Sequence, residues 1–172
     1  SWSVLDPRVI LWRLEGPGRV AQLRSLTELR HAVEPLAAAG AARHASAEVR
    51  REITDIAARM RLLGEAGAGR QAEFLALDIR MHELLLRSSG NELFGAFSEV
   101  IAAVLSGRTA IGLMPASPVP TALAEHEAVA RAVALGDPAA AQRAMSAIVD
   151  EVQGALPGVA CQGVEEPAGA TG

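Results

Sequence analysis

Cysteine is nearly absent from this sequence, with Cys161 standing alone. One thiol excludes an intrachain disulfide framework and a cysteine-rich zinc cluster, and it fits a reducing compartment. Aromatic residues make up only 3% of the chain and there is no tyrosine, so the apolar half is aliphatic. Basic charge is not in excess: 16 Lys and Arg face 20 Asp and Glu, for a net charge of −4. A free-standing nucleic-acid binder presents a basic face, and that class is excluded. No apolar run approaches the roughly 18–20 residues that span a bilayer, and no signal-peptide pattern opens the chain. The catalytic signatures GxSxG, GxGxxG, HExxH and the P-loop are missing as well. The sequence starts at Ser1 rather than methionine, as expected of a piece of a longer protein.

What remains is a chain of 172 residues, 50% hydrophobic, enough for one packed domain. Helix signals dominate, and no stretch shows the period-two alternation of a strand. Asp6-Pro7 reads as an N-cap and first helical residue, and Gly16-Pro17-Gly18 as a stop near Glu15. Leu23, Leu26, Leu29, Val33 and Leu36 draw one apolar stripe on a second helix. Pro35 should kink that helix near His31, and Gly40 should end it. Ser46 caps a third helix closed by Gly64, and a fourth runs from about Arg70 to Ser88. Asn91 caps a fifth helix to about Gly107, followed by a loop holding Pro115, Pro118 and Pro120. Helices from Thr121 to Leu135 and from Pro138 to Leu156 complete an all-α antiparallel bundle of about six to seven helices. The domain is expected over residues 1–156, with a mobile Pro/Gly/Ala/Glu-rich tail over 157–172.

The informative residues are polar ones on apolar stripes. Asp78 and His82 share the face marked by Phe74, Met81 and Leu85, one turn apart. His126 falls on the stripe of Leu123, Ala130 and Val133. A buried carboxylate needs a partner or a cation. Two readings stay open: a mixed O/N donor set for a divalent ion such as zinc, nickel or manganese, or a closed hydrogen-bonded group. Arg30 sits between Leu26 and Val33, so its guanidinium either enters the bundle to meet a carboxylate or pairs with Glu34 on a solvated edge. Arg108, expected in the loop after the fifth helix, is a second anion-binding candidate. His31 and His44 read as surface residues. Arg50, Arg51, Arg59 and Arg61, interleaved with Glu48, Glu52 and Asp55, read as a solvated helix face.

Several short segments, in order, resemble the FadR-type C-terminal effector-binding (FCD) domain of GntR-superfamily transcriptional regulators. They are Leu29-Arg30-His31-Ala32-Val33-Glu34-Pro35, Asp78-Ile79-Arg80-Met81-His82, Ser88-Ser89-Gly90-Asn91, Glu125-His126-Glu127-Ala128-Val129 and Gly136-Asp137-Pro138. The resemblance covers about Trp2 to Val152. It implies a cytoplasmic homodimer that binds a small carboxylate metabolite, a sugar acid among the candidates. It implies DNA contact only through a winged helix-turn-helix module that normally precedes this domain and is not in this sequence. It also implies a divalent ion held by an Asp, a His one turn later and two further His. Asp78, His82 and His126 match the first three positions, and Ile148 stands at the fourth, where it offers no ligand. The expected role is therefore effector sensing, with no catalysis. A helical metal-dependent enzyme and a purely structural dimerisation domain are the alternatives.

Overall fold

A computed structural model describes residues 3–154 of the chain, with side chains up to Val152. The expected tail over 157–172 lies outside the described residues, as does Cys161. The helices are α1 (Pro7–Glu15), α2 (Arg19–His44), α3 (Ala47–Glu65), α4 (Ala72–Arg87), α5 (Glu92–Ala96), α6 (Ser98–Ala110), α7 (Pro120–Leu135) and α8 (Pro138–Gly154). The all-α expectation holds: there is no strand among the described residues. The Asp6 side chain caps α1, Ser46 caps α3 and Asn91 caps α5, each accepting a backbone N–H. Gly136 takes the left-handed conformation that closes α7, at φ 68°.

Three expectations need correction. Gly40 does not end α2, which continues for another turn to His44. The absent side chain serves packing instead: a Cβ on Gly40 would lie 2.2 Å from the Ser89 carbonyl oxygen. Leu36 leaves the apolar stripe and is exposed, while Ala37, Ala38, Ala41 and Ala42 are buried. Small side chains there let α2 lie close to α8, its most extensive neighbour. The fifth helix is two pieces, α5 and α6, broken at Phe97.

The segment from Glu92 to Ala110, 19 residues, is long and apolar enough for a membrane span by composition. The break at Phe97 divides it, and its inward residues Val100, Ile101, Val104 and Leu105 are core. A core helix explains its apolarity.

The main core is built by α3, α4, α7 and α8, through Ile53, Met60, Met81, Leu85, Val129 and Val149. A second cluster seats α1 on α6, with Ile10 and Leu14 against Val100 and Val104. The arginine face of α3 is only partly solvated. Arg50 donates to the carbonyls of Ala42, Ala45 and Val133, so it closes the C-terminal ends of α2 and α7. Arg61 bonds both oxygens of Glu127 on α7.

Candidate functional site

Helical periodicity places Asp78 and His82 one above the other on α4, facing α7. His126 of α7 meets them. The Asp78 Oδ1 atom lies 3.3 Å from Nε2 of His82 and 3.3 Å from Nε2 of His126. One donor atom from each of the three residues lies within 4.8 Å of the other two. The two imidazoles stand nearly edge to face, with centroids 6.3 Å apart and planes at 82°. Asp78 and His82 are buried, and His126 is partly so.

The outer nitrogens of both rings are fixed by partners. Nδ1 of His126 donates to the Ala122 carbonyl, one turn back, at 2.7 Å. Nδ1 of His82 donates to Oε1 of Glu34 on α2. Each Nδ1 therefore carries a hydrogen, and both Nε2 atoms turn toward Asp78. The Nε2 of His82 is buried and forms no hydrogen bond of acceptable angle, even though Asp78 is near.

Glu34 also accepts from Nε of Arg30 at 2.6 Å, and both residues are 1% exposed. The sequence alternatives for Arg30 thus merge: it pairs with Glu34, but inside the bundle rather than on a solvated edge. Burial raises the Glu34 carboxyl, and the charges of Arg30 and His82 more than offset this, holding it at about 2. Burial opposes ionisation of Asp78 too, but His126 and His82 pull it well below the carboxylate range. Burial alone would lower His82, yet Glu34 and Asp78 raise it to about 9. The group therefore demands a positive charge between the carboxylates: a proton on His82, or a cation against Nε2.

These residues fit a divalent ion. Three donors of O and N type converge, both imidazoles turn Nε2 toward Asp78, where a bound ion would replace the proton that His82 otherwise carries, and the second nitrogen of His82 is held by a carboxylate in the manner of metal-bound histidines. Ile148 of α8 lies on the same cavity wall and supplies no donor.

The donor set opens on a cavity of about 240 Å³ between α4, α6, α7, α8 and the connection from α6 to α7. Arg30 and Arg108 both line it. Arg108 is not in a loop, as the sequence suggested, but in the last turn of α6. It is 8% exposed. Burial and the nearby Arg30 guanidinium push it down to about 10, so it stays charged at neutral pH. Nη1 of Arg30 and Nε of Arg108 are buried without partners. Two unsatisfied cationic donors beside one cavity favour an anion.

Two functional positions escaped sequence reasoning. Glu34 was visible only as a local partner of Arg30, since nothing in the spacing revealed its reach to His82. Glu151, one turn beyond Ile148, also lines the cavity. Its place on the stripe of Met145, Ile148 and Val152 was the available signal. His31 is half-buried rather than on the surface: its Nε2 lies 3.3 Å from Oδ1 of Asp150 on α8 but forms no hydrogen bond.

The described residues form an all-helical bundle that encloses a small cavity, with a three-donor set and two buried guanidinium groups at its inner end. The chain belongs to the FCD domain family, whose model matches residues 25–151. It is 31% identical over 149 residues to the galactonate operon transcriptional repressor of Escherichia coli (strain K12), covering 84% of this chain and 62% of that protein. It shares its fold with the solved structure named Streptococcus agalactiae GntR, at a TM-score of 0.64 and 21% identity, over 81% of this chain and 62% of the other. The chain thus spans less than two thirds of each relative's length.

Proposed function

We propose that this chain is the effector-sensing part of a GntR-type transcriptional regulator, which takes a small carboxylate metabolite into the cavity beside Asp78, His82 and His126. The observation that carries the reading is the pairing of a three-donor set with two buried, unpartnered guanidinium nitrogens on one cavity. Asp78, His82 and His126 hold a divalent ion (zinc, nickel or manganese), which when bound supplies positive charge to the effector's acid group. Arg30 and Arg108 orient that carboxylate through charge-assisted hydrogen bonds. The relative named for the galactonate operon makes a sugar acid one candidate.

The regulator works as a cytoplasmic homodimer and reaches DNA through a winged helix-turn-helix module outside residues 1–156. The ligand shifts the dimer only if it binds one arrangement more tightly than another. A closed structural network is disfavoured by the cavity that opens against the donor set. Catalysis is disfavoured because the carboxylates next to the donors in sequence do not line the cavity. Glu83 bonds Arg80 and Arg87, and Glu125 faces Glu151.

A thermal-shift screen of small carboxylates, with and without zinc, tests the reading. Binding at 100 times Kd should stabilise the chain by about 2.7 kcal/mol. Arg108→Met should cut that stabilisation by at least about half at the same ligand concentration. No response to any carboxylate contradicts the proposal.

A further inference from the structure

The two ends of the cavity differ in chemistry. The inner end is polar, formed by Arg30, Asp78, His82 and Arg108, all buried. The outer end is covered by the connection between α6 and α7, which contributes Leu113, Met114, Pro115, Pro118 and Val119. Leu123, Ile148 and Val152 face them from α7 and α8.

Part of that connection's backbone is already paired. The Leu113 N–H donates to the Arg108 carbonyl at 2.9 Å. The Met114 carbonyl accepts from Nε of Arg70 at 3.1 Å. The Ala116 carbonyl accepts from the Gly69 N–H at 2.7 Å, and the Val119 carbonyl accepts from Ala122 and Leu123. Pro115 and Pro118 have no N–H to offer. Gly69 fixes this arrangement, since a Cβ there would meet Pro118 at 2.7 Å and the Pro115 carbonyl at 2.8 Å. Glu151 is the polar side chain of the outer wall among the described residues, and it interacts with Glu125 and Arg108.

We infer that the effector is a small acid with an apolar body, its carboxylate at Arg30 and Arg108 and its hydrocarbon part under the connection from α6 to α7, rather than a polyhydroxylated sugar acid. The inference rests on the sensor reading above. Hydroxyl groups along the body would lie against the side chains of Leu113, Met114, Val119 and Leu123, which offer no hydrogen-bond partner, and each unsatisfied hydroxyl weakens binding. The cavity is smaller than the roughly 300–1,000 Å³ of drug-sized sites, so the acid is short.

Calorimetric titration of the whole chain, with zinc present and again with chelator, should compare three six-carbon acids: hexanoate, 2-hydroxyhexanoate and galactonate. One of the first two should bind at least about 100-fold more tightly than galactonate, the discrimination an apolar pocket achieves against added hydroxyl. Met114→Gln and Val119→Thr, at half-buried and exposed positions, should keep the wild-type melting temperature and narrow that ratio. Galactonate binding as tightly as the apolar acids would overturn the inference and leave the sensor reading standing. An unchanged ratio in both variants would also overturn it. Binding of none of the three would remove both.

Discussion

Glu34 on α2 holds the Nδ1–H of His82 on α4, and so fixes which nitrogen His82 turns to the cavity. The two residues are 48 positions apart and both 1% exposed. Because Glu34 also binds Arg30, one carboxylate links the donor set to the buried Arg30 guanidinium.

Replacing Glu34 with Gln should therefore do two things. Divalent-ion affinity should fall about 10–100-fold, the usual effect of losing a partner behind a metal-bound histidine. Stability should fall by about 3–5 kcal/mol, because Arg30 is left buried with its charge unmatched. Metal titration and denaturant unfolding measure the two effects separately.

The same carboxyl sets an acid limit. Its folded value of about 2 lies below the ordinary 4.5. A depressed folded pKa gives stability that is complete above the unfolded value and is lost as pH falls through the folded one. Chelator-treated chain should lose stability between pH 4.5 and 2. The Glu34→Gln variant should show a flatter curve over the same range.

Arg108 is the opposite case. Its Nε is buried with no partner. Arg108→Met removes a desolvated charge and keeps most of the volume, so stability should stay level or rise by about 1 kcal/mol. Carboxylate affinity should fall at least tenfold, about 1.4 kcal/mol. A variant that melts higher and binds worse would separate a ligand-binding arginine from a structural one.

Ile148→His places a third imidazole, and a fourth ligand, on the wall that already carries the donor set. Four-ligand zinc sites yield roughly 10–16 kcal/mol, so one added ligand should tighten zinc binding on the order of 100-fold. Equilibrium competition with a chromophoric chelator reads this directly.

Much of this architecture was legible in the sequence because its determinants are local. Asp6, Ser46 and Asn91 cap helices through their own side chains, and the i, i+4 spacing of Asp78 and His82 is itself a geometric statement. His126 was legible from its place on an apolar stripe. What stayed hidden depends on pairs distant in the chain. Gly40 reads as a helix stop until Ser89 is seen against it. Arg50 reads as a surface charge until the ends of α2 and α7 meet it. Glu34 reads as a one-turn partner of Arg30 until α4 brings His82. The break at Phe97 has no glycine or proline at the break itself to announce it.

The most direct test is calorimetric titration of metal-stripped chain with zinc, nickel and manganese. Binding of one ion per chain is expected, lost in Asp78→Ala and in His126→Ala variants that still unfold cooperatively. The absence of binding by all three ions, or an affinity indifferent to both substitutions, would contradict a donor set built from α4 and α7.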